Sequence, residues 1–118
     1  MIEEEILVRN VNGFPENELK LMKAFIKGAV YCWCKNCKDQ WFAARDLFGG
    51  DNFDWHDTPL MLLYRHYLEL DHNNDYAIAE AGKAVGRLLL QVLSEDSRHY
   101  ETRGSYTREY LWNGEEDY

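Results

Sequence analysis

Proline and cysteine are both scarce in this chain of 118 residues, which carries two prolines and three cysteines. The cysteines form an odd set, and all of them fall between positions 32 and 37. That excludes a disulfide framework spread through the molecule and makes a reducing cytoplasm the expected location. No stretch approaches the ~18 consecutive apolar residues of a membrane-spanning helix. The opening Met1-Ile2-Glu3-Glu4-Glu5 lacks the basic and apolar regions of a secretory leader. Positive charge is short as well: 13 Lys and Arg face 21 Asp and Glu, a net charge of −8. A field of that sign repels phosphate backbones and anionic lipid, so neither nucleic acid nor membrane is an expected partner. Glycine-rich nucleotide loops and a glycine-flanked nucleophilic serine are missing too.

What is present in quantity is apolar and aromatic material. Hydrophobic residues make up 46% and aromatic ones 14% of the chain, far more than a disordered segment carries. The length suits one domain, residues 1–118, with a core of its own.

The hydrophobic spacing is mainly helical and predicts a compact bundle of about four helices, near 15–37, 39–48, 59–70 and 75–95. Pro15 suits a first helical position. Leu19, Met22, Ile26, Ala29/Val30, Trp33 and Cys37 then recur at three- and four-residue steps, as one buried stripe requires. Trp41, Phe42, Ala44 and Leu47 lie in a second helix that Gly49-Gly50 stops. Thr58-Pro59 starts a third, with Leu60, Leu63, Tyr64, Tyr67 and Leu68 inward. Asn74 or Asp75 caps the fourth, whose stripe runs through Ala77, Ile78, Ala81, Val85, Leu88, Leu89 and Val92. There is room for short β segments at both ends. Ile6-Leu7-Val8 is β-prone, and the last twenty residues read as a short hairpin or an irregular aromatic tail. Pairing between the two ends would tie both to the domain.

Cys32-Trp33-Cys34-Lys35-Asn36-Cys37 is the most conspicuous local motif. Cys34 and Cys37 have the Cys-x-x-Cys spacing of zinc sites, Cys32 offers a third sulfur, and His56 or His66 a fourth ligand. Such a zinc site would be structural. It needs the first helix to end near Cys32, because at ~100° per residue Cys32 and Cys34 otherwise point ~200° apart. The competing expectation is that the cysteines pack as small hydrophobes. A redox role is disfavoured, since the pair lies at a helix C-terminus, where the dipole opposes the thiolate.

Asp51, Asp54, His56 and Asp57 gather carboxylates and an imidazole in one loop, a set suited to a hard cation or to general-base chemistry at Asp54, His56 and Asp57. The plain alternative is that they cap helices. Ala77–Gly86 followed by Arg87-Leu88-Leu89-Leu90 has helix-turn-helix spacing, but its second half would offer leucines and acids to DNA. One continuous helix explains it better, with Gly82 and Gly86 letting a neighbour approach.

Near the end, Arg98, Arg103 and Arg108 interleave with aromatic residues. Tyr100, Arg103, Tyr106, Arg108, Tyr110 and Trp112 therefore form a candidate interaction surface, because Tyr, Trp and Arg supply binding hot spots. The leading functional expectation is a small helical accessory protein that binds another protein or itself without catalytic machinery. The alternatives are a structural zinc domain and an enzyme or ligand-binding domain built on the Asp54/His56/Asp57 loop.

Overall fold

The computed structural model describes residues 1–49, 55–104 and 107–116, with the side chains of 115 and 116 left aside. Four helices come first and an antiparallel hairpin follows: α1 Glu16–Asn36, α2 Ala44–Phe48, α3 Met61–Asp71, α4 Asn74–Glu95, β1 Arg98–Arg103 and β2 Glu109–Glu116. The mainly helical class expected from the spacing is therefore observed. Among the described residues, no helix is long and apolar enough to cross a membrane.

Helix α4 is the organising element, with α1 and α3 packed against it. Ten of its residues are buried, so it is apolar over more than one stripe, as a helix covered on several sides must be. Asn73 begins it, one residue before the expected cap, and its side chain accepts from Tyr76 N at 3.0 Å. Helix α1 buries Met22, Ile26, Val30 and Cys34. That is a strict four-residue row, so Cys34 rather than Cys37 completes the stripe. Tyr100, Phe42, Leu60, Leu63 and Leu88 are fully enclosed in the same core.

Two local expectations are corrected. The second helix is short: residues 39–43 are not helical, because Phe42 pairs antiparallel with Tyr110. The two exchange backbone hydrogen bonds of 2.9 and 2.8 Å, and the Asp46 carboxylate then caps α2 by accepting from Ala43 N at 2.7 Å. At the other end, Ile6–Val8 makes no strand, and Leu7 stays 74% exposed. The chain start still meets the hairpin, but through Ile2, which bridges Tyr100 in parallel. Glu3 N donates to Tyr100 O at 2.9 Å and Tyr100 N to Met1 O at 2.7 Å. The Met1 amino group donates to the carbonyls of Leu93, Asp96 and Arg98, where α4 leaves carbonyls without helical partners.

The C-terminal residues thus form a hairpin, with a register irregularity between Arg98 and Tyr100. Ile2 lies on the outer side of β1 and Phe42 on the outer side of β2. Segments from three regions of the sequence therefore meet around one small sheet.

Candidate functional site

Among the described residues, the cysteine motif is not brought together with further ligands around one point. Helix α1 continues to Asn36, so Cys32 and Cys34 project from different faces of one helix. Cys32 is exposed, Cys34 buried and Cys37 half-buried. His56 lies on the surface in a turn. Among the described residues, no group of three or more His, Cys, Asp or Glu is placed to hold one ion. Cys34 and Cys37 do open onto a common cavity of about 260 Å³ beside Trp112 and Gly114. Burial pushes the Cys34 thiol up, with Arg98 only partly opposing it, so Cys34 is held as a protonated thiol rather than a nucleophile.

Of the acidic loop, Asp51 and Asp54 lie outside the described residues. Asp57 is exposed and adopts φ 61°. Thr58 donates its hydroxyl to Trp55 O at 2.7 Å, and Trp55, 5% exposed, anchors this turn in the core.

The aromatic C-terminal set divides on burial. Tyr100 and Tyr110 are 0% and 3% exposed and belong to the core, which corrects their expected place on an interaction surface. Trp112 is half-buried and stacks on Arg98 at 3.9 Å, while Tyr31 covers the guanidinium at 3.8 Å. Arg103 is exposed, stacks on Trp41 at 4.2 Å and pairs with Glu109 at 3.1 Å. Tyr106 lies outside the described residues. These arginines and rings mostly satisfy one another within the chain, and the strand register sets Tyr100, Tyr110 and Trp112 on one face of the hairpin.

Asp96 joins this cluster to the helices. It accepts from the Tyr31 hydroxyl at 2.8 Å and the Tyr100 hydroxyl at 2.7 Å, with Lys27 Nζ 3.9 Å away. Burial alone would push the carboxyl up. The hydrogen bonds from Tyr100 and Tyr31, Lys27 and Ser97 N outweigh that and hold it below the usual carboxylate range. Tyr100 is driven the other way, well above an ordinary phenol, by burial and by the same Asp96 bond. The cluster is closed and internally paired. It is a fastening, not an open site.

An open cleft of about 850 Å³ lies between α4, α2, the segment near Arg9 and the start of β2. Its apolar floor includes Val85, Leu89 and Leu90 of α4 with Phe48, Trp55 and Tyr110. Its polar lining is strongly one-sided. Arg9, Arg45, Lys83, Arg87 and Arg108 contribute five cations, and no Asp or Glu lines it among the described residues. Lys83 pairs with Glu80 at 3.2 Å. Arg9, Arg87 and Arg108 make no ion pair with a described residue. Five of the thirteen basic residues of an acidic protein thus surround one cavity.

Gly82 and Gly86 open into the same cleft, and a Cβ built on either meets no described atom within 4 Å. The expected close neighbour is therefore not supplied by the described fold. Of this set, the sequence pattern marks Arg108 alone as a candidate surface residue. Lys83 and Arg87, four apart beside two glycines four apart, were the legible signal for the remainder. Arg9 and Arg45 converge on them only through folding. Comparison with known proteins returns no matching family model, curated protein or solved structure.

Proposed function

We propose that the protein is a non-catalytic interaction module that binds an anionic segment of a partner protein in the basic cleft. One observation carries this reading: five cations and no described carboxylate line an apolar-floored cavity in a chain of net charge −8. Arg9, Arg87 and Arg108 make no ion pair with a described residue, and an anion in the cleft would lower the Coulomb cost of holding them near one another. The apolar floor adds burial of about 25 cal/mol per Å² for whatever covers it. A short acidic segment would feel mainly the cleft, because charges beyond about 8–10 Å are screened at physiological salt. A long polyanion such as DNA would meet the acidic remainder of the surface.

Fluorescence anisotropy of a labelled hexaglutamate peptide tests this. Saturable binding at low salt is expected, weakening steeply with added salt and lost in Arg87→Glu/Arg108→Glu. Binding that ignores the double charge reversal, or no binding at low salt, would overturn the proposal. An oligonucleotide of twenty bases bound more tightly than the peptide would redirect it to nucleic acid.

A further inference from the structure

The occupant of the cleft can be specified further, in an inference that rests on the anion-binding reading above. Three rows of α4 reach the cleft, each made of residues four apart: Gly82–Gly86–Leu90, Lys83–Arg87 and Val85–Leu89. Residues four apart on an α-helix form one inclined ridge, and helices pack by setting a ridge of one into a groove of the other. The row that begins with two glycines is a groove. It has no side chain for its first two members, and its neighbours are a cationic row on one side and an apolar row on the other. The open space above both glycines shows that no described part of the chain occupies it.

We infer that this groove receives an amphipathic acidic helix of another protein, with its apolar ridge over Gly82 and Gly86. Acidic side chains four residues apart on that helix match Lys83 and Arg87, which carry their charges at the same interval. Charge complementarity selects the sign of the occupant, and the missing side chains select its shape. An extended peptide gains little from the glycine row, because its side chains alternate every two residues. A helix gains close backbone approach over Gly82 and Gly86.

A phage-displayed library of helical peptides about 16 residues long, selected against the intact protein, tests the inference. Gly86→Leu puts a side chain into the groove from a position where an added Cβ meets no described neighbour within 4 Å, and Gly82→Leu serves as a second, independent filling. Melting curves confirm that each is folded. The expected result is enrichment of helices with Asp or Glu four apart, whose affinity falls about tenfold or more on either filling. Hexaglutamate binding should survive the same substitutions. Enriched sequences without that acidic spacing, no enrichment, or full affinity for both filled variants would overturn the helical occupant. The anion reading would stand in those cases if hexaglutamate still bound, and fall with it if not. Concentration-dependent self-association abolished by Gly86→Leu would instead assign the groove to a second copy of this chain and overturn the inference.

Discussion

Asp96 fastens three parts of the chain at a single carboxylate: Tyr31 and Lys27 from α1, Tyr100 from β1, and its own position at the end of α4. Because its pKa is lowered on folding, it adds stability that is complete above the ordinary carboxylate range. That stability is lost as pH falls through the folded value. Asp96→Asn should therefore cost about 1–3 kcal/mol at pH 7 and should flatten the acid limb of the stability profile. Urea titrations at pH 7 and below pH 4 would show this. If the two proteins lost stability in parallel on acidification, Asp96 would not be the group responsible. The cysteines give a second test at this scale. Iodoacetamide should label Cys32 first, Cys37 more slowly and Cys34 only on unfolding, in keeping with their burial. Mass spectrometry reads that order directly, and protection of all three in the native protein would contradict it.

At the scale of elements, α4 combines a wide buried face with an unfilled glycine row. Gly86→Ala should stabilise the protein by about 0.5–1 kcal/mol, since alanine is the better helix former and the added Cβ meets nothing described. A lower melting temperature in this variant would show that the row is filled in solution. Phe42 offers the opposite case. It is fully buried, packs on Tyr110 with ring centroids 6.0 Å apart, and bridges β2. Phe42→Ala should cost about 3–5 kcal/mol, and calorimetry would detect a loss of that size.

The same two elements show what could be read from the sequence. Helix α4 was legible because its periodicity is long and its start is capped within the chain itself. Phe42 reads as helical from its own neighbours, because the local pattern is ambiguous. Its extended state is imposed by Tyr110, nearly seventy residues later. The burial of Tyr100 is not legible locally for a related reason. Which face of a strand is inward depends on what packs there, and the Tyr100 ring turns into the core, where its hydroxyl donates to Asp96. The cleft shows the strongest dependence on folding, since its cations come from four separate stretches of sequence.

Across the whole molecule, the charge distribution is the property that matters for partners. The net charge of −8 makes the cleft a local inversion of the general field. Association of an acidic peptide should consequently slow and weaken between about 50 and 500 mM salt, a range over which the Debye length shrinks severalfold. Stopped-flow rates with labelled hexaglutamate would measure it. A rate independent of salt would mean that the cleft does not steer its ligand.

The bridge between Ile2 and Tyr100 also bears on how the molecule comes into being. Helices α3 and α4 and the β1–β2 hairpin are built from near neighbours and can form locally on fast timescales. Joining Ile2 to Tyr100 closes a loop of about a hundred residues, which carries the larger entropic cost. The enclosed Tyr100 and Tyr110 lie far along the chain, so a ribosome-bound nascent chain cannot complete the core until both have emerged. Folding should thus end, rather than begin, with the docking of Ile2 onto the hairpin, and apolar surface on α1 and α4 stays uncovered during synthesis.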